Sequence, residues 1–184
     1  MARKRIGFVC TANTCRSAMA ELVARELSEE TAEDRFEFVS GGVWAEAGSR
    51  ASENAREALT LHVCIAQIGL DLSEHRSSVC DVAFLKACDV VFVMCEWHLN
   101  EVAQLMSALS EQDTPGTVSM LAETDIPDPI GRDLSTYQRT LDVLRLWIKR
   151  RLRQLTVTRA NSTDDRVSAH LTVRSKIQQE LTEF

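Results

Sequence analysis

The chain has 184 residues, a formal charge of −6 and a hydrophobic share of 45% with only 3 Pro and 7 Gly, the make-up of one folded domain with a substantial core and not of a disordered chain. An excess of 27 acidic over 21 basic residues argues against a nucleic-acid surface. The basic start, Met1 to Arg5, is followed by an apolar run that stops at Cys10; this fits neither a signal peptide nor a membrane helix, and the expectation is a cytoplasmic protein without membrane contact.

In chain order, Arg5 to Cys10 reads as a short buried strand, followed by a loop and a helix from Ser17, its N-cap, to Glu30 with Ala18, Leu22, Ala24 and Leu27 on the apolar face. Phe36 to Ser40 alternates as a second strand, turned by Gly41 and Gly42. A helical pattern runs from Ser52 through Ala55, Ala58, Leu59, Val63 and Ile65 until Gly69, and Leu70 to Ser78 is a polar loop carrying His75. Val79 to Ala87 is a short helix. Val90 to Met94 is a continuous apolar run, the pattern of a central parallel strand. Trp97 to Leu109 has helical spacing, Pro115 and Gly116 make a turn, and Thr117 to Leu121 is a last strand. Ile126-Pro-Asp-Pro-Ile-Gly131 is a rigid loop, and Tyr137 to Leu155 closes the domain as an amphipathic helix. Its basic end (Lys149, Arg150, Arg151, Arg153) suits a helix C-terminus or an anionic partner. Residues 156–184 form a polar appendage, flexible or weakly helical.

Strands alternating with helices predict an α/β fold, a doubly wound, mostly parallel four-stranded sheet with helices on both faces, in which ligands sit at the carboxyl ends of strands. The domain boundary falls at residue 155. The loop after the first strand lies at just such an end.

That loop is Cys10-Thr11-Ala12-Asn13-Thr14-Cys15-Arg16-Ser17. A strand-to-helix turn offers free backbone N–H groups and the positive end of a helix to an anion, and the same potential favours a thiolate. Arg16 adds a planar, bidentate clamp. The expectation is a phosphate cradle with Cys10 as nucleophile at its floor. The six cysteines show no disulfide spacing, and neither Cys95 with His98 nor His62 with Cys64 completes a zinc set, so no metal and no cofactor are expected.

The loop, followed by Met19-Ala20-Glu21, together with Ser40-Gly-Gly-Val43, Asp71-Leu-Ser-Glu-His75 and Asp125-Ile-Pro-Asp-Pro-Ile-Gly131 with Tyr137 downstream, resembles the low-molecular-weight protein tyrosine phosphatase family over residues 5–155. The resemblance implies a phosphorylated protein substrate. It implies that Cys10 attacks phosphorus to give a thiophosphate, that Arg16 and the N–H groups of residues 11 to 16 hold its oxygens, and that Asp128 protonates the leaving group. It also implies that Asn13, Ser17, Ser40 and His75 brace the cradle, that Trp44 and Ile130 line the substrate cleft, and that Cys15 is placed for a reversible disulfide with Cys10. From the residues alone, His75 reads as a surface loop residue, its bracing role depending on the resemblance, Trp44 reads equally as core, and Cys15 has the alternative of a thiol pointing into the core.

Three departures bear on activity and substrate. Ala12 stands where the family usually has Gly, and a positive φ there would strain the cradle by on the order of 1 kcal/mol. Ile130 replaces a usual aromatic residue. Thr14 resembles the members that act on phosphoarginine, leaving phosphotyrosine and phosphoarginine both open. Two other functions compete. The first is thioredoxin-coupled arsenate reduction, for which Cys95 sits at the expected place while the relay thiol expected further on is Val102. The second is a non-catalytic phosphate-binding module.

Overall fold

The computed structural model describes residues 3–31, 34–62, 65, 67–107, 109–110 and 115–161. The chain falls into two compact units, Met1–Arg151 and Leu152–Phe184. The first contains the sheet, formed by β1 (Lys4–Cys10), β2 (Phe36–Gly42), β3 (Val90–Val93) and β4 (Thr117–Met120), and the helices α1 (Arg16–Glu30), α2 (Glu53–Leu61), α3 (Val82–Ala87) and α4 (Glu96–Met106). The last helix, α5 (Leu134–Asn161), begins in the first unit and supplies the described part of the second.

All strand pairs are parallel and the order is β2-β1-β3-β4. The chain steps from β1 outward to β2, then crosses back over β1 to β3. Right-handed crossovers in opposite directions put their helices on opposite faces of the sheet, and the reversal opens a crevice at the carboxyl end of β1. The expected doubly wound sheet is observed.

Alternation along the strands builds the two faces. Phe8 packs against Phe38 and Phe92 with ring centroids 6.4 and 6.1 Å apart on one face. Val9, Val91 and Val93 join Leu85, Cys88, Val102 and Val118 on the other. Burial of this kind raises the Cys80 and Cys88 thiols to about 12, so both are inert core groups. Along α5, Tyr137, Leu141, Leu144 and Ile148 are buried at helical spacing, while Trp147 is half-buried beneath the Arg150 guanidinium. Arg151 donates to the carbonyls of Met120 and Leu121, which gives one member of the basic run a structural use at the end of β4.

Several boundaries differ from the sequence pattern. Helix α1 starts at Arg16 with Cys15 at the cap position and no side-chain cap bond, because the Ser17 hydroxyl is spent inside the cradle instead. Helix α2, capped by Ser52 accepting from the Ala55 N–H, stops at Leu61, where His62 turns extended. The expected continuation passes residues 63, 64 and 66, outside the described residues. The closing helix runs to Asn161, past the expected boundary at 155, and the rest of the appendage lies outside the described residues.

Candidate active site

The cradle grows out of β1 without a break. Val43 and Trp44 donate their backbone N–H groups to the carbonyls of Cys10 and Thr11 at 3.0 and 2.9 Å, Ser52 donates to the Thr14 carbonyl at 2.9 Å, and the His75 ring meets the Asn13 carbonyl at 2.8 Å. In a trans peptide the N–H points opposite to the C=O. Outward use of these carbonyls therefore turns the N–H groups of residues 11, 12, 14 and 15 toward the bowl above Cys10, the anion nest expected from the sequence.

Asn13 organises the interior. It is the one non-glycine residue with positive φ among the described residues, at 56°, a conformation Asn tolerates better than most side chains. Ala12 is therefore not the strained position, and the expected penalty at residue 12 does not arise. The buried Asn13 amide donates to Ser17 Oγ and Ser40 Oγ, each at 2.8 Å, and accepts from the Ser78 N–H at 2.8 Å. The Ser40 hydroxyl in turn donates to the Glu21 carboxylate at 2.6 Å. Since Ser17 Oγ already accepts from Asn13, its hydrogen is free to be donated to Cys10 Sγ, 3.0 Å away.

Gly42 is required under this network. A Cβ there would lie 2.6 Å from the Thr11 carbonyl oxygen and 2.8 Å from the Asn13 nitrogen, both backbone atoms. The absence of a side chain at the end of β2 lets the cradle sit directly on the sheet.

Arg16 is buried, with 4% of its surface exposed. Its guanidinium donates to the Ile126 carbonyl at 3.0 Å and to Thr11 Oγ1 at 3.4 Å, and it is ion-paired with Asp128. Its Nε is buried with no hydrogen-bond partner among the described residues, a donor held ready for an acceptor in the bowl. The Asp128 loop is fixed at its root: Asp125 accepts from the first N–H of α4, and Ile126 donates to the Met94 carbonyl at the end of β3. Asp128 itself accepts from the Ile130 N–H at 3.1 Å and stays solvent-accessible.

Cys15 is buried and faces away from water. Its thiol contacts Ser52 Oγ at 3.2 Å and the Tyr137 hydroxyl at 3.5 Å, while Ser52 donates to Tyr137 at 3.4 Å. Burial and the adjacent Cys15 raise the Tyr137 hydroxyl to about 12, so it remains a neutral donor.

The remaining sequence candidates fall around this centre. His75 is a brace, half-buried against Asn13. Trp44 and Ile130 are exposed at 67% and 58%, which removes the core alternative for Trp44. Thr14 is half-buried in the loop, its hydroxyl 3.7 Å from Cys15 Sγ. His98, fully buried, was visible in the sequence only as a possible zinc partner of Cys95. Its Nδ1 lies 3.0 Å from Cys95 Sγ and its Nε2 2.9 Å from Thr11 Oγ1. Burial first, then the charge of Arg16, push this imidazole down to about 4, so it is neutral in the fold. Glu21, Ser52, Ser78 and Trp97 also adjoin the site, and their signals were swallowed by helix and loop patterns.

The family model for low molecular weight phosphotyrosine protein phosphatases matches residues 5–165. The chain belongs to this family. Its relatives include the protein-arginine-phosphatase of Bacillus subtilis (strain 168), 27% identical over 150 residues that make up 80% of this chain and 94% of the relative. They also include an arsenate reductase of Bacillus cereus (strain G9842), 28% identical over 148 residues, 80% of this chain and 93% of the relative. Among solved structures, the low molecular weight protein tyrosine phosphatase from T. tengcongensis is 31% identical, with a TM-score of 0.69 over 82% of this chain and 99% of that one. As a member of the family, the protein is a phosphoprotein phosphatase of the low-molecular-weight type. No helix among the described residues is long and apolar enough to cross a membrane.

Proposed function

We propose that the protein removes phosphate from phosphoarginine or phosphotyrosine side chains of proteins through a phosphoenzyme on Cys10. The observation that carries the reading is the convergence on one bowl of a thiol with a hydroxyl aimed at it, an N–H nest turned inward by its outward-bonded carbonyls and a buried Arg16 paired to Asp128. In the first step the Cys10 thiolate forms a P–S bond as the P–O or P–N bond to the side chain breaks, and the protonated Asp128 gives its proton to the leaving oxygen or nitrogen. In the second, water attacks phosphorus, its proton goes to the Asp128 carboxylate and the P–S bond breaks to release phosphate and the thiolate. Arg16 and the nest hold the three equatorial oxygens throughout.

Thr14 is the residue we assign to the choice between the two substrates, since a short polar side chain leaves room for a guanidinium nitrogen beside phosphorus. The likeness to the Bacillus subtilis arginine phosphatase supports that choice. Arsenate reduction fits less well despite the likeness to reductases, because position 102 is a fully buried valine with no thiol to relay a disulfide. A redox switch between Cys10 and Cys15 would have to release Cys15 from Ser52 and Tyr137 first. Purified protein should hydrolyse 4-nitrophenyl phosphate, and Cys10→Ser should abolish that turnover; a wild-type protein that binds phosphate without turnover would leave the non-catalytic module.

A further inference from the structure

Two tryptophan rings stand in water beside the cradle, and the phosphoryl chemistry uses neither. Trp44 is 67% exposed and Trp97 37% exposed, and they meet edge to face with centroids 4.8 Å apart. Both are tethered to the same cradle residue: the Trp44 N–H bonds the Thr11 carbonyl, and His98, whose ring lies 5.1 Å from that of Trp97, bonds the Thr11 hydroxyl. The ledge is therefore held rigidly against the bowl, not hung on a loose side chain.

A carboxylate completes it. Glu101 follows Trp97 by four residues along α4, which puts both on one helix face, and its Oε2 accepts from Trp44 Nε1 at 3.2 Å. An anion bound to an indole N–H makes a poor surface for a phosphate, which the positive bowl around Arg16 attracts. Indole π-faces with a carboxylate at their edge are instead the chemistry that recognises a cation. The site thus has two signs: a positive floor under Cys10 and a negative aromatic lip on the Thr11 side.

We propose that Trp44, Trp97 and Glu101 form a subsite for an arginine or lysine side chain flanking the phosphorylated residue of a protein substrate. The cation stacks on the exposed indole faces and pairs with Glu101 while the phosphoryl group occupies the bowl. This rests on the phosphatase reading above.

The test compares short phosphotyrosine and phosphoarginine peptides that differ only in carrying Arg or Glu beside the phosphorylated residue, with 4-nitrophenyl phosphate assayed in parallel. The wild type should favour the Arg-flanked peptide by about tenfold in kcat/KM, mostly through KM, a cation–π contact and an exposed ion pair together. Glu101→Gln and Trp97→Leu should each cut that ratio to about threefold or less. Glu29→Gln, the same charge change at the far end of α1, should keep it. An equal ratio in Glu101→Gln and the wild type, an equal loss in Glu29→Gln, or a preference for Glu-flanked peptides would overturn the subsite. Titrating Cys10→Ser protein with the same peptides reads the subsite without turnover. Failure of 4-nitrophenyl phosphate hydrolysis with Arg-selective peptide binding intact would instead sink the phosphatase reading alone.

Discussion

Asp128 is ion-paired with the one guanidinium that closes the cradle, so the candidate acid and the candidate oxyanion clamp compete for each other with any bound phosphoryl group. Replacing Asp128 by Asn should therefore do two opposite things. Turnover should fall by about a hundredfold to ten-thousandfold on phenyl phosphate and much less on 4-nitrophenyl phosphate, whose leaving group needs no proton. Affinity for inorganic phosphate should rise about fivefold, the worth of a partly exposed ion pair. Steady-state kinetics with phosphate as inhibitor measure both.

Asn13 separates conformational strain from bonding. Asn13→Ala should lose on the order of 3 kcal/mol, combining the left-handed backbone cost with the buried hydroxyls of Ser17 and Ser40 left short of a donor. Asn13→Gly should recover about 1 kcal/mol of that by relieving the backbone alone. Neither should recover activity, because Ser17 is no longer held to donate to Cys10. Urea denaturation and kcat on an aryl phosphate distinguish the two contributions.

At Gly42 the cradle backbone leaves no room for a methyl group. Gly42→Ala should cost about 2 kcal/mol by overpacking and lower kcat/KM far more than that loss of stability explains, since the displaced atoms belong to Thr11 and Asn13. Thermal unfolding beside kinetics at a temperature where the variant is folded checks this.

His98 should make stability pH-dependent. Its folded value near 4 lies below the ordinary imidazole value of 6.5, so the unfolded chain binds the proton first as pH falls. The stabilisation is complete above pH 6.5 and is lost progressively down to about 4, amounting to on the order of 3 kcal/mol. Denaturation midpoints between pH 4 and 7 should slope accordingly, and His98→Asn should flatten that slope.

Strands and cradle were legible in the sequence because their signals are local. An apolar run ending in a thiol, and an Arg spaced to close the same loop, carry their geometry with them. Trp97, His98 and Glu101 were not, since residues at the start of α4 read simply as a helix and only Trp44 beyond β2 and the cradle give them partners. The end of α2 at Leu61 was hidden by the apolar pattern continuing to Ile65. An alanine where a glycine is usual points to strain at residue 12, yet the left-handed turn falls one residue later on Asn13, where the side chain that braces the loop also tolerates the backbone. Ser17 looked like a helix cap by residue type, and the cradle used its hydroxyl for something else.

The Asn13 network draws its partners from Ser17, Ser40, His75 and Ser78, and so from stretches far apart along the chain. Such non-local contacts form late, after the entropy of closing the intervening loops has been met. During refolding, secondary structure should return before the thiol becomes reactive, and a nascent chain should stay chemically silent until the segment beyond β2 has docked.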